Sequence, residues 1–166
     1  CRRLLTTHRV ETAEAGRAFV QLFRLRWRID QAFRALKSDG MRLEESQVTG
    51  CDRMFALAAI AMAAAVRTIQ LVDARDGGPR LATDIIDAEF IAPVAGLSNK
   101  LEGKTDRQKN PHERGSLAWL AWVVARLGGW NCYYKPPGPK TMHQGWVHLA
   151  TFLAGFAFAG THDAKP

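Results

Sequence analysis

The residue types with the most chemistry in this sequence lie in one stretch, LFRLRWRIDQAFRALKSDG, residues 22–40. Phe23, Arg26, Asp30 and Lys37 follow one another there at steps of three, four and seven. At roughly 100° per residue, a helix places all four within an arc of roughly 60°. This face places one carboxylate between two cations, so it is where the sequence concentrates charged groups.

A plain structural interpretation of the same residues remains open. Arg26 with Asp30, and Asp30 with Arg34, have the i,i+4 spacing of ion pairs on solvated helices, which contribute about 0.2–0.5 kcal/mol each. Phe23 and Trp27 are aromatic residues that commonly pack in or beside a core.

Composition favours a globular chain with an anionic partner. The 166 residues are 47% hydrophobic, carry a formal net charge of +7 and have a pI near 9.8. That apolar fraction is sufficient for a real core. A basic balance favours nucleic acid as the partner, although plain surface charge explains it equally well.

The three cysteines indicate neither a disulfide framework nor a zinc site. Cys1, Cys51 and Cys132 are far apart, and the sequence has no CxxC and no Cys/His cluster. We expect Cys51 and Cys132 to be small buried residues. A reducing, cytoplasmic location fits this cysteine usage best.

No membrane span is expected from the apolar runs. The longest one, residues 54–66, has thirteen residues, whereas a span needs roughly 20. It is predicted to be a buried helix of a soluble protein. The chain begins at Cys1 rather than at methionine, and we expect it to be part of a longer protein.

Residues 1–76 are predicted to form a strand and two helices. The strand covers residues 3–7, and the first helix runs from Thr12 to about Lys37. Its apolar stripe is expected to form a buried face and consists of Ala18, Leu22, Leu25, Ile29, Phe33 and Leu36. On its far side, Arg17, Arg24, Arg28 and Gln31 are expected to face water. The second helix, about 52–73, is apolar nearly all round, which indicates burial among other elements. Gly77-Gly78-Pro79 marks a boundary between two regions.

Residues 77–166 are predicted to be a second, helical region. Its expected elements are short helices at 82–90 and 92–96, an exposed charged loop at 99–114, a helix at 115–127, a rigid turn at 135–140 and a last helix at 142–158. Trp119, Trp122 and Trp130 are candidates either for a dimer interface or for the internal core.

The first helix resembles a known catalytic motif. Phe23, Arg26, Asp30 and Lys37 match the Y-x2-R-x3-E-x6-K pattern that names a group of insertion-sequence transposases of the DDE class. The lead-in RRLLTTHRVET is similar to the last strand of that family's RNase H-like core and the turn after it. The later segment ARLGGWNCYYKPPGPKT is similar to Gly/Pro-containing segments of the same family.

The resemblance implies a mainly α chain, in which the last strand and the catalytic helix of an RNase H-like core precede a helical C-terminal domain. It also implies Mg²⁺-dependent cleavage and transfer of DNA strands, with a homodimer in the synaptic complex and transposon-end DNA as partner. Two of the family's three metal-binding acids would precede Cys1, and Asp30 would be the third. Arg26 and Lys37, with Phe23 and Trp27 beside them, would contact the DNA.

Two positions depart from the motif. Phe23 replaces the tyrosine and lacks its hydroxyl, and Asp30 replaces the glutamate and is one methylene shorter. Because Mg²⁺ demands tight octahedral geometry, the shorter side chain could move the carboxylate out of reach. Either the site tolerates aspartate or this copy has decayed.

Three functions therefore remain open. The first is the C-terminal part of a transposase, catalytically incomplete by itself. The second is a non-catalytic helical module for DNA binding or dimerisation, which the Asp30 substitution favours. The third is a helical enzyme without a DNA role, although the sequence shows no other catalytic cluster.

Overall fold

The computed structural model describes residues 6–38 and 46–162, without the side chains of residues 31, 32, 34–38, 161 and 162. The described chain is mainly helical, as expected. Its five α-helices are α1 (Ala13–Ser38), α2 (Cys51–Ala74), α3 (Ile91–Leu101), α4 (Leu117–Leu127) and α5 (Pro139–His162). Short 3-10 turns cover Ala82–Asp84, Ala88–Phe90 and Asp106–Gln108.

Extended pairing in the described ranges is limited to one isolated antiparallel bridge between Leu81 and Ser116. Most of the predicted strand at residues 3–7 lies outside the described residues. Thr6 and Thr7, at its end, are not in a strand.

Helix α4 is the centre of the core. All nine residues from Leu117 to Ala125 are buried, which suits a helix that is apolar on every side. The Ser116 hydroxyl caps its start by accepting a hydrogen bond from the Trp119 backbone N–H at 3.1 Å. It ends at Gly128-Gly129, where Gly129 has a φ of 87°, a conformation that favours glycine.

The second half of α2, together with α3 and α5, packs around α4. Helix α5 approaches α4 so closely that a Cβ atom on Gly145 would overlap the carbonyl oxygen of Val124. The Arg126 guanidinium ties the end of α3 to α4, because it donates to the Leu101 carbonyl at 2.9 and 3.2 Å and to the Trp130 carbonyl at 2.8 Å. The Arg67 guanidinium of α2 lies 4.8 Å from the centre of the Trp146 ring of α5.

Helix α2 has two unlike halves. Its buried residues, Ala61, Ala65, Thr68, Leu71 and Ala74, begin near the middle of the helix and follow one face of it. Residues 51–60 are exposed except for the partly buried Leu57. The expectation that α2 is buried is therefore confirmed for one face of its second half and wrong for residues 51–60. Cys51 is exposed rather than buried for the same reason, since it starts the exposed half.

Within the described residues, α2 is the one helix long and apolar enough to cross a membrane by length and composition. Core helices of soluble proteins meet the same criterion. The second half of α2 packs in the core. The absence of a membrane-spanning segment remains a prediction from the sequence.

Several boundaries in the second region differ from those expected. Helix α3 extends to Leu101, into the predicted charged loop. Helix α5 begins at Pro139, within the predicted rigid turn, and continues to His162. Proline is well suited to the first position of a helix, since its missing N–H has no partner there anyway. The sequence prediction treated this proline only as a turn residue.

The tryptophans of α4 belong to the core. Trp119 and Trp122 are each only 4% exposed, and Trp130 packs partly buried against the same cluster. Of the two alternatives for Trp119 and Trp122, the internal core is confirmed. A residue this deeply buried in the monomer has no surface to offer a second copy.

Candidate nucleic-acid interface

Helix α1 is a continuous platform for the motif residues. It runs unbroken from Ala13 to Ser38, so the spacing of Arg26, Asp30 and Lys37 becomes a common helical face. Its start is fixed by Thr12, whose hydroxyl accepts a hydrogen bond from the Ala15 backbone N–H at 3.1 Å. The expected continuity between Trp27 and Phe33 is confirmed.

The motif side chains on α1 are exposed. Arg26 and Asp30 are both open to solvent, and in the described part of the chain neither forms a hydrogen bond or an ion pair. The i,i+4 ion pair between them that the spacing permitted is not formed. Both groups therefore keep their charge available for another molecule.

The two aromatic residues of the motif face are also outside the core. The side chains of Phe23 and Trp27 are 46% and 57% exposed. Packing in the core of this chain is thus not their role. Exposed rings beside a guanidinium are suited to a flat partner, since rings stack readily on nucleobases.

Two further motif-face positions are described only by their backbone. Lys37 and Arg34 lie within α1, but their side chains are outside the described part. The expectation that Lys37 joins the face of Arg26 and Asp30 rests on the helical register alone.

The opposite side of α1 contacts α2. The Arg28 guanidinium lies 3.3 Å from the Asp73 carboxylate. The expectation that the far side simply faces water is therefore wrong for Arg28. Arg28 is roughly 160° around the helix from Arg26. The Arg26 face consequently points away from α2 and is not covered by it.

The apolar stripe of α1 lies uncovered beside the motif face. Leu22, Leu25, Ile29 and Phe33 are all exposed, although the stripe was expected to border a buried face. Met54, Phe55 and Ile60 on the first half of α2 are exposed as well. Large exposed apolar areas are typical of binding sites for protein or for another part of the same protein.

Positive charge is concentrated on α1 and in the later loops. Residues 13–38 contain six Lys and Arg against two Asp and Glu, and residues 99–140 contain eight against three. Between them, residues 51–98 contain four against six. Two basic segments separated by an acidic one give two distinct regions suited to polyanions.

The described residues do not by themselves form a metal centre. No group of three His, Cys, Asp or Glu side chains that could hold an ion occurs among them. Among the described residues, Asp30 is an exposed carboxylate that belongs to no such group. A divalent ion bound by one carboxylate would keep most of its water and bind weakly.

Cys132, one of the two described cysteines, is not placed to be a reactive thiol. Burial raises the pKa of the Cys132 thiol above its usual value, against the opposing effect of the nearby Arg126 guanidinium. A raised pKa disfavours the thiolate, which is the nucleophilic form. Cys132 is partly buried, close to the expectation for it.

Sequence reasoning identified the motif face of α1 but missed the contact that orients it, Arg28 with Asp73. An arginine and an aspartate 45 positions apart carry no local signal that they pair. Comparison with known families adds no name to these features, since no protein-family model matches the chain.

Proposed function

We propose that this chain is the C-terminal part of a DNA transposase that holds transposon-end DNA on the motif face of α1. The observation that carries the proposal is the continuous helix on which Arg26 and Asp30 are exposed and unpaired in the described chain, flanked by exposed Phe23 and Trp27. This agrees with the motif resemblance in spacing at all four positions and in residue type at Arg26 and Lys37.

The charges on α1 support a role in holding phosphates. Arg26 is free of acidic partners in the described residues, and the segment around it is strongly basic. A guanidinium presents donors in a fork that matches two phosphate oxygens. Lys37, about three turns further along the same face of α1, would add a second cation. Trp27 and Phe23 would border the same strand.

The uncovered apolar stripe of α1 is consistent with a further structural element that packs against it in the longer protein. An RNase H-like core places its catalytic helix against a sheet, and Leu22, Ile29 and Phe33 are the side chains that such a sheet would cover. We propose that residues outside this chain supply that sheet, together with the first two acids. Asp30 would then be one ligand of a Mg²⁺ site completed by those acids.

The helical region from residue 77 onward would support assembly. In the proposed synaptic complex two copies hold two DNA ends, and this region would contribute to the homodimer. The interface of this homodimer would not include Trp119 or Trp122, because both are buried within the monomer.

One alternative function has a specific observation in its favour. A non-catalytic DNA-binding or dimerisation module derived from a transposase fits the shorter Asp30 and the large exposed apolar surface of α1 and α2 equally well. It differs from the first proposal only in whether the carboxylate of Asp30 is needed for strand cleavage.

The deciding experiment is cleavage of a transposon-end duplex by the longer protein, comparing Asp30 with Asp30→Asn and Asp30→Glu. Loss of cleavage in Asp30→Asn is expected, because the substitution removes the anion. Asp30→Glu should keep or raise cleavage, because it restores the reach of the family's glutamate. Asp52→Asn, at an exposed aspartate on α2, makes the same change elsewhere and should cleave normally.

Two results would decide against the catalytic proposal. Equal cleavage by all three versions at position 30 would exclude Asp30 as a metal ligand. No cleavage by any version, with DNA binding retained, would favour the non-catalytic module. The present chain alone should not cleave with Mg²⁺ or Mn²⁺, since one carboxylate cannot hold two divalent ions.

A further inference from the structure

A cavity of about 200 Å³ lies between α4, the charged loop before it and the proline-rich turn after it. It is remote from the motif face, and no residue of α1 lines it. The walls that matter for recognition are Arg75, Arg107, His112, Trp122, Trp130 and Pro137. They combine flat apolar surfaces with guanidinium groups at one site, which the Asp76 carboxylate also lines.

The aromatic walls are held in place before any ligand arrives. Trp122 lies in the fully buried part of α4, with the Arg126 guanidinium 5.7 Å from the centre of its ring. The Trp130 indole N–H donates a hydrogen bond to the Lys135 carbonyl at 3.1 Å. Because both rings are fixed, a flat ligand that contacts them costs little side-chain ordering.

The two arginines of the cavity have different roles. The Arg75 guanidinium is already engaged, since it donates to the Pro137 carbonyl at 2.8 Å and pairs with Asp76 at 3.3 Å. The Arg107 side chain is exposed and makes no hydrogen bond or ion pair to any described residue. Arg107 is therefore the cation available to an incoming anion.

The size of the cavity restricts the ligand. At about 200 Å³ it is smaller than the roughly 300–1,000 Å³ of pockets that enclose drug-sized molecules. A space of this size suits a single ring system. The surrounding segment, residues 99–140, has eight cations against three acids, which attracts a polyanion more strongly than a single small anion.

We infer that this cavity binds one unpaired nucleotide of a nucleic-acid strand, with its base against Trp130 and Pro137 and its phosphate on Arg107, while the buried Trp122 closes the floor of the cavity. Aromatic rings and guanidinium planes stack on unpaired bases of any sequence. The guanidinium of Arg107 supplies the charge-assisted hydrogen bonds to the phosphate. The flanking nucleotides of the strand lie along the basic loop outside the cavity.

The inference stands apart from the function proposed for α1. It uses a different surface and no carboxylate of the motif. It would hold if the cleavage experiment at Asp30 failed, and it can fail while that experiment succeeds.

The test is a titration of the chain with a short single-stranded oligonucleotide, followed by quenching of tryptophan fluorescence. A Trp27→Phe background removes the reporter on α1, so that the signal comes from the helical region. Arg107→Ala is compared with Arg114→Ala, which deletes the same charge from the same exposed loop outside the cavity. Circular dichroism confirms that each variant is folded.

We expect the single strand to quench the fluorescence, and Arg107→Ala to weaken binding roughly ten-fold, as loss of a charge-assisted hydrogen bond would. Arg114→Ala should weaken binding about two-fold, as loss of a distant cation would. A free 5′-mononucleotide should quench more weakly than the strand, and a blunt duplex least, because its bases are paired.

Three results would overturn the inference. Equal losses for Arg107→Ala and Arg114→Ala would mean that only general charge is involved. A larger loss for Arg26→Ala than for Arg107→Ala would place the strand on α1 instead. Equal or tighter binding of the free mononucleotide would assign the cavity to a small metabolite rather than to a strand.

Discussion

Helices α1 and α4 are both rich in large apolar residues, yet they are buried to opposite extents. Helix α4 is covered on every side by α2, α3 and α5, and nine of its eleven residues are buried. Helix α1 contacts α2 along one side and leaves Leu22, Ile29 and Phe33 in solvent. The difference reflects both composition and neighbours, because α1 carries eight charged residues among 26 whereas α4 carries only Arg126 among eleven.

This contrast separates what the chain does for its own stability from what it presents to other molecules. The α4 region has its partners within the chain, so its apolar residues stabilise the fold directly. The α1 region exposes cations and apolar side chains on adjacent faces. Surfaces with this mixture suit an assembly in which DNA and another folded unit are bound side by side.

The largest expected effect tests the contrast with one substitution in each helix. Leu120 is fully buried in α4 and Leu22 is exposed on α1. Leu120→Ala should lower the free energy of unfolding by about 2–5 kcal/mol, because it leaves a cavity in a close-packed core. Leu22→Ala should change it by about 0.5 kcal/mol or less, as exposed positions generally do.

Chemical denaturation of the two variants measures both values. Similar losses would mean that α1 is covered in solution and that the contrast is wrong. In the longer protein, Leu22→Ala should lower the free energy of unfolding by more than it does in this chain, if a sheet covers the apolar stripe of α1. That comparison extends the test to the proposed RNase H-like core.

The second prediction concerns the close contact of α4 and α5. A Cβ atom on Gly145 would overlap the Val124 carbonyl oxygen and approach the Gly128 backbone nitrogen. Gly145→Ala should therefore lower the free energy of unfolding by about 1–3 kcal/mol or more, as overpacking of a core does. The neighbouring atoms are backbone and cannot rotate away.

Gly155→Ala is the matched control for Gly145→Ala. Gly155 lies on the same helix, where a Cβ atom would meet nothing within 4 Å. This change should be neutral or slightly stabilising, since alanine favours helix over glycine. Thermal melts of the two variants should differ clearly, and equal melting temperatures would show that α5 does not cross α4 so closely.

The sequence alone was sufficient to predict the helices but not their neighbours. Apolar spacing indicated α1, α2 and α4 within a few residues of their ends. The same spacing cannot say whether a stripe is covered, because that depends on distant parts of the chain. The stripe of α1 and Cys51 were therefore both expected to be more buried than they are.

The two possible sites differ in the same way. Local spacing was enough to place Arg26 and Asp30 on one face, since a single helix positions both. The cavity draws Arg75, Arg107 and Trp122 from segments that are far apart in sequence. Nothing in the spacing of those residues indicated that they would meet.

The third prediction concerns DNA binding by α1. Arg26→Ala should reduce the dependence of log K on log salt by about 0.9 for duplex DNA, the value for one lost phosphate contact. Arg17→Ala removes the same charge from the same helix, but roughly 180° around it. Its slope should change little. Equal changes in the salt dependence for the two variants would mean that α1 attracts DNA through its general charge and not through the face that carries Arg26.

The smallest expected effect concerns the contact between α1 and α2. The side chains of Arg28 and Asp73 lie 3.3 Å apart and are 58% and 40% exposed. Exposed ion pairs contribute about 0–1 kcal/mol, because solvent screens the attraction and both side chains lose freedom. Arg28→Ala should therefore lower the free energy of unfolding by less than about 1 kcal/mol, and less still at high salt.

A double-mutant cycle with Asp73→Ala isolates the pair from the other effects of each substitution. Arg24→Ala, an exposed cation on the same helix without a partner in the described residues, is the control. A coupling of several kcal/mol would mean that this one contact docks α1 cooperatively. Helix α1 would then belong to the stable core with α4. A small coupling energy would mean that the Arg28–Asp73 pair holds α1 only weakly against α2. The position of α1 would then be fixed by the other molecules or segments that it binds.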